Sequence, residues 1–173
     1  NIERNLYLST QIIELGIPVL MAVNMMDIVA KSGDKINLKT LGEKLGCEVV
    51  EISALKGTGI KEAAAKAVDV AKAKKAVQRV HHFAEDVEAT ITTIEDKLGN
   101  SVSENQKRFF AIKLLERDSK ISEQLKSVPN VDAEIKAIED KYDDDTESII
   151  TNERYTYISS IIGSCVKKAN AGK

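Results

Sequence analysis

An apolar run, Ile17-Pro18-Val19-Leu20-Met21-Ala22-Val23, leads directly into Asn24-Met25-Met26-Asp27, and a second, Val49-Val50-Glu51-Ile52, leads into Ser53-Ala54. The first run is apolar on both faces, the pattern of a strand buried in a parallel sheet covered by helices, and Glu48–Ile52 reads as a second buried strand. Between and around them the period changes to helical. Leu6, Ile12, Ile13 and Leu15 predict a helix over residues 3–16 that stops at Gly16, two positions before Pro18. After a polar loop, Lys31–Lys35, Asn37 is a candidate cap for a short helix, Leu38–Leu45, that ends at Gly46. Lys56-Gly57-Thr58-Gly59 reads as a tight turn into an Ala-rich helix from about Lys61 to Lys75. Strands alternating with helices argue a parallel α/β sheet whose ligand site lies at the carboxyl ends of the strands. Asn24, Asp27 and Ser53 all fall there.

Beyond Lys75 the strand signals vanish and long stretches at helical spacing take over. Val77–Leu98 carries Val80, Phe83, Val87, Ile91, Ile94 and Leu98 on one side and ends at Gly99. Ser103–Leu115, Ile121–Val128 (stopped by Pro129), Val131–Tyr142 and Thr146–Asn170 follow, predicting an all-helical bundle of about five helices. The expected fold is therefore α/β plus all-α: a partial parallel sheet flanked by helices over 1–76 and a helical bundle domain over 77–173. Arg154, Tyr155 and Tyr157 in the last helix are expected to pack or pair between the two.

Composition narrows the function. The chain has 173 residues, 4% aromatic and no Trp, with a formal net charge of −2. That charge divides into +2 over residues 1–76 and −4 over 77–173, so neither part offers a basic surface for nucleic acid. Cys47 and Cys165 lack metal-binding or disulfide-framework spacing and are read as reduced thiols. No apolar stretch is long enough to span a bilayer. A chain that begins at Asn1 and contains no G-x-x-x-x-G-K-[ST] loop is read as a fragment whose nucleotide pocket lacks its phosphate cradle.

The chemistry of the two strand ends is that of guanine reading. One carboxylate, Asp27, can accept from guanine N1–H and from its exocyclic amino group, where adenine presents an acceptor and a carbon. Two such bonds discriminate by about 2–6 kcal/mol. The Asn24 amide suits the N7/O6 edge, and the backbone N–H near Ala54 can donate to O6. Met25 occupies a position that is Lys in most GTPases; its unbranched stem can line one face of the base, with Leu55 or the Lys56 stem on the other. Nothing in the chain forms a catalytic triad or a zinc site. His81 and His82 are adjacent on a helix and point about 100° apart, which disfavours a shared metal. Asp143-Asp144-Asp145 fails the calcium-loop template and reads instead as a helix N-terminal cap.

Asn1-Ile-Glu-Arg-Asn-Leu-Tyr-Leu, Glu14–Asp27 and Ser53-Ala-Leu-Lys-Gly-Thr-Gly59 resemble the cytoplasmic GTPase domain of the bacterial ferrous-iron transport protein B (FeoB) family. Asp145–Ile150 followed by Arg154-Tyr-Thr-Tyr-Ile158 is similar to that family's helical domain. The resemblance covers essentially the whole chain. It implies a protein that binds GTP or GDP, hydrolyses GTP slowly and couples nucleotide state to iron(II) uptake at the cytoplasmic face of the bacterial inner membrane. Asn24, Met25, Asp27, Ser53, Ala54 and Leu55 would hold the base. The phosphate loop, the switches and the ligands for Mg2+ and K+ would precede Asn1, leaving no catalytic residue and no metal ligand here. The implied partners are the missing N-terminal half of the G domain and a C-terminal transmembrane domain, with room for a homo-oligomer and none for nucleic acid. Two alternatives stay open: a ribosome- or tRNA-associated GTPase with a helical appendage, and a non-catalytic helical adaptor that keeps a G-domain remnant.

Overall fold

A computed structural model describes residues 2–24, 35–73 and 83–167, without the side chains of Lys35, Val166 and Lys167. The described helices are α1 (Ile2–Glu14), α2 (Leu38–Leu45), α3 (Ile60–Ala73), α4 (Glu85–Leu98), α5 (Lys107–Leu115), α6 (Ser119–Ser122), α7 (Asp132–Tyr142) and α8 (Thr146–Cys165). The strands are β1 (Leu20–Asn24), β2 (Lys35–Ile36), β3 (Glu48–Ile52) and β4 (Val166–Lys167). They form two compact units. One comprises Asn1–Ile13, Ile17–Val80 and Ile158–Lys173; the other comprises Glu14–Gly16 and His81–Tyr157.

In the first unit β1 and β3 pair in parallel, from Leu20 opposite Glu48 to Asn24 opposite Ile52. The connection between them carries α2, which starts and stops as its sequence dictates. Asn37, in extended backbone, accepts from Thr40 N–H at 3.1 Å, and Gly46, at φ +75°, returns its N–H to the Gly42 carbonyl. Leu41 and Leu45 are buried. The two long strands are only half-buried, with Ala22, Glu48 and Glu51 exposed. That corrects the expectation of fully buried strands. Among the described residues the parallel sheet has only these two members, and α3 buries no side chain. A groove of about 740 Å³, lined by Val19, Cys47, Glu48, Ala65, Lys66 and Val70, opens at the amino end of the strands.

A second, antiparallel pairing had no sequence signal. The predicted final helix, Thr146–Asn170, ends at Cys165, and the next two residues form β4 against β2, with Lys167 opposite Lys35 and Val166 opposite Ile36. Asn37 N–H donates to the Cys165 carbonyl at 2.7 Å and extends the ladder by one bond. Ile36, Ile158, Ile161 and Cys165 are all buried in this unit. Two-residue strands are too short to show a period, so pairing at a distance ends the helix where local pattern would have continued it.

The helical unit has one hydrophobic core, built from α4, α5, α7 and the first turns of α8, with Ile121 and Leu125 added from the segment between α5 and α7. The predicted stripe Val87, Ile91, Ile94 and Leu98 is fully enclosed. Three predicted boundaries are corrected. The helix expected over Val77–Leu98 starts at Glu85; Phe83 and Ala84 precede it in non-helical backbone, and residues 77–82 lie outside the described residues. Their N–H groups go to carboxylates, Phe83 to Glu88 at 3.1 Å and Ala84 to Glu153 at 2.8 Å. Ser103–Leu115 is a 3-10 turn, Glu104–Gln106, followed by α5. Ile121–Val128 contracts to a single turn, Ser119–Ser122, capped by Asp118, because only Ile121 and Leu125 anchor it to the core. The acidic triplet divides its work. Asp143 ends α7 in the left-handed region at φ +52°, and Asp145 caps α8 by accepting from Ser148 N–H at 2.8 Å.

The helical unit also encloses charge. Arg108 makes a two-pronged pair with Glu88, at 2.6 and 2.7 Å. Arg154, fully buried, pairs with Glu14 and, at 3.3 Å, with Glu116. Both guanidiniums lie over the Phe83 ring, 5.5 and 5.6 Å from its centroid. Burial alone would lower the Arg154 pKa, but the two carboxylates outweigh it and keep the guanidinium protonated. Burial pushes the Glu14 carboxyl up, against the pull of Arg154. Gly16 closes this corner: at φ +73°, a Cβ there would lie 1.9 Å from the Asn105 carbonyl oxygen, while Asn105 Nδ2 donates to the Gly16 carbonyl at 3.0 Å.

Two predictions follow from this charge arrangement. Arg154→Ala leaves Glu14 buried without its cation and should cost about 3–5 kcal/mol of stability, read as a denaturation midpoint, whereas the apolar Arg154→Met with Glu14→Gln should cost less. Asp86, which accepts from the Tyr142 hydroxyl at 2.8 Å and pairs with Lys141 at 2.7 Å, is held below the usual aspartate range chiefly by Lys141. A lowered carboxyl contributes stability above its ordinary pKa and loses it as pH falls. The melting-temperature gap between wild type and Asp86→Asn should therefore be full at neutral pH and close below about pH 4. A gap that stays constant from pH 7 to 2 would contradict this.

Candidate functional site

The register of the parallel pair decides what meets at its carboxyl edge. Asn24 is the last residue of β1 and lies opposite Ile52, so the next residue of the neighbouring strand, Ser53, emerges beside it. Asn24 is half-buried, and its side-chain oxygen is shut off from solvent. Met25 and Asp27 lie outside the described residues. Ser53 is buried, whereas Ala54 and Leu55 are exposed on the turn that follows, Leu55 with 86% of its surface free.

That turn is closed by backbone bonds. Ser53 N–H donates to the Thr58 carbonyl at 2.9 Å and Thr58 N–H to the Ser53 carbonyl at 3.1 Å, an isolated antiparallel bridge. Within the loop, Lys56 N–H donates to Ser53 Oγ at 3.3 Å. Gly57 and Gly59 both have positive φ, +66° and +79°. α3 starts immediately afterwards, its first intrahelical bond running from Ala63 N–H to the Gly59 carbonyl. The sequence marks Lys56–Gly59 as a tight turn. It carries no sign of the Ser53–Thr58 bridge, because a pairing of single residues has no periodicity to read.

The chemistry available is recognition. A half-buried amide at a strand end beside an exposed turn is an arrangement that can present polar groups to a small ligand. Among the described residues no group of three or more His, Cys, Asp or Glu could hold a metal, and His81 and His82 lie outside them. No described helix is long and apolar enough to cross a membrane. Cys47 and Cys165 are free thiols.

A parallel α/β pair whose carboxyl edge gathers an Asn and a Ser-Ala turn, joined to an all-α unit, defines the class: part of a Ras-like G-domain fold followed by a helical domain. Residues 1–67 match the family model described as ferrous iron transport protein B, and residues 83–167 match the FeoB cytosolic helical domain. The chain belongs to the FeoB family.

The Fe(2+) transporter FeoB of Salmonella typhimurium is 33% identical over 162 residues, covering 93% of this chain and 21% of the relative. That of Escherichia coli K12 is 36% identical over 118 residues, 68% of this chain and 15% of the relative. The matched part of the chain thus spans 15–21% of the length of these curated relatives. Among solved structures, a mutant of S. thermophilus NFeoB bound to GDP superposes with a TM-score of 0.88 at 38% identity, over 96% of this chain and 66% of that one. NFeoB bound to GDP.AlF4- and K+ gives 0.84 at 40% identity, over 93% and 64%.

The site's surroundings yield one prediction. Burial, reinforced by Glu48, pushes the Cys47 thiol up to about 11, so little thiolate exists at neutral pH. Alkylation of Cys47 by iodoacetamide at pH 7.5 should be at least about tenfold slower than that of a free thiol with ordinary pKa. Reaction at the free-thiol rate would place Cys47 in a more open setting.

Proposed function

We propose that this chain is the guanine-reading part of a GTP-binding region in a ferrous iron transporter. The observation that supports it most strongly is the β1–β3 register, which sets Asn24 and Ser53 side by side at one strand edge. In this reading Asn24 addresses the N7/O6 edge. Asp27 accepts from N1–H and the exocyclic amino group. Ser53 shapes the loop from which Ala54 and Leu55 offer backbone N–H to O6. Met25 and Leu55 line the faces of the ring.

The chain supplies no phosphate loop, so GTP hydrolysis belongs to the intact protein, with the phosphate cradle and the ligands for Mg2+ and K+ contributed by the N-terminal half of the G domain. The half-buried strands, the uncovered α3 and the 740 Å³ groove are consistent with a domain completed by further chain. That relatives named Fe(2+) transporter are about five times longer supports a membrane part elsewhere in the same protein, to which this region would couple nucleotide state and iron(II) uptake at the cytoplasmic face. Domain limits of 1–76 and 77–173 are part of the proposal. So is assembly into homo-oligomers. Nucleic acid is not a proposed partner, because the charge balance gives it no basic face.

Competition binding on the full-length protein tests the reading. GDP should displace a fluorescent guanine nucleotide with at least about 30-fold advantage over ADP, the lower end of two lost hydrogen bonds. Asp27→Asn exchanges one acceptor for an amide donor, which suits the O2 of xanthine, so preference should move from GDP toward XDP. Equal binding of GDP and ADP would discard the assignment.

A further inference from the structure

The loop from Ser53 to Gly59 presents Ala54 and Leu55 to the solvent with nothing packed over them. Its shape therefore cannot come from side-chain burial. Three features hold it: the two bonds of the Ser53–Thr58 bridge, the Lys56 N–H bond to Ser53 Oγ, and the way the chain leaves. At that exit Gly59 crosses back over the end of β3. A Cβ built on Gly59 would lie 2.7 Å from the Glu51 carbonyl oxygen and 3.2 Å from Ile52 Cα, both backbone atoms that cannot swing aside. Its φ of +79° is a second, independent demand for glycine. Gly57 differs: its φ is also positive, but a Cβ there meets nothing within 4 Å.

We infer that Gly59 is a positioning residue for base recognition, its bare Cα letting the exit of the loop close on Glu51 so that the Ala54 and Leu55 N–H groups stand preformed toward the purine O6. The inference rests on the guanine reading above and deepens it. Any side chain at 59 lifts the exit of the loop off Glu51. Because Thr58 is bonded in both directions to Ser53, that displacement carries to the residues between them. In that reading Asp27 addresses N1–H and the amino group, and the loop N–H groups address O6. The two halves of the base reader are thus separable by analogue.

6-Thioguanosine diphosphate keeps N1–H and the amino group but replaces O6 with a poor acceptor, whereas IDP keeps O6 and N1–H and lacks the amino group. In the full-length protein, Gly59→Ala should shrink the GDP over 6-thio-GDP preference by about tenfold while leaving GDP over IDP unchanged. Ser53→Ala, which cannot strain the backbone and removes only the acceptor for Lys56 N–H, should shrink the same ratio partially. Gly57→Asn, whose residue tolerates positive φ in open space, should leave both ratios intact. If Gly59→Ala does not fold, Ser53→Ala decides by the same ratio. An unchanged 6-thio ratio in a protein that still prefers GDP to ADP overturns this inference alone. Equal GDP and ADP binding by the wild-type protein overturns the guanine reading and the inference with it.

Discussion

The parallel pairing of β1 with β3, in the single register that sets Asn24 against Ile52, is the constraint on which the site depends. A slip of one residue would turn every side chain of one strand to the opposite face. A slip of two would keep the faces but move Ser53 about 7 Å along the strand, beyond reach of anything Asn24 can touch. Within the connection between the strands, the Asn37 cap and the Gly46 stop fix the length of α2, and β3 begins two positions after Gly46. Ser53 then opens into a loop that its own backbone closes. In the proposed reading, recognition is a property of strand ends and turns, with the chemistry carried by groups that the sheet delivers to one edge.

Much of this was legible in the residues. Apolar runs ending in Asn24 and in Ser53 located both strand ends to within a residue, and the Asn37 and Gly46 caps bounded α2 at both ends. The family likeness read from Glu14–Asp27, Ser53–Gly59 and the helical tail agrees with the two family models. The failures share a physical cause. β4, the Ser53–Thr58 bridge and the start of α4 are set by hydrogen bonds between residues far apart or too few to show a period. The burial of β1 was overestimated because an all-apolar run reports what a strand is suited to face, and two strands with an uncovered helix do not enclose it.

The helical unit shows the same division between pattern and partner. Its apolar stripe is plain in the sequence, and Val87, Ile91, Ile94 and Leu98 are enclosed accordingly. The buried ions are not plain. Arg154 is expected from the sequence to pack or pair, but its partners Glu14 and Glu116 and the Phe83 ring are not, and Arg108 with Glu88 carries no local signal at all. Charges taken out of water must be matched closely, so such a cluster specifies one arrangement of its helices at some expense in stability. Glu14 and Gly16, at and just beyond the end of α1, belong to that cluster's unit by contact.

The most direct test of the account is a crystal structure of the full-length protein, or its cytoplasmic region, with GDP bound. The account predicts the Asp27 carboxylate within hydrogen-bond distance of both guanine N1 and N2, with a backbone N–H of the Ser53–Leu55 turn on O6. A base bound away from the β1 and β3 strand ends, or an Asp27 carboxylate turned from it, would contradict it.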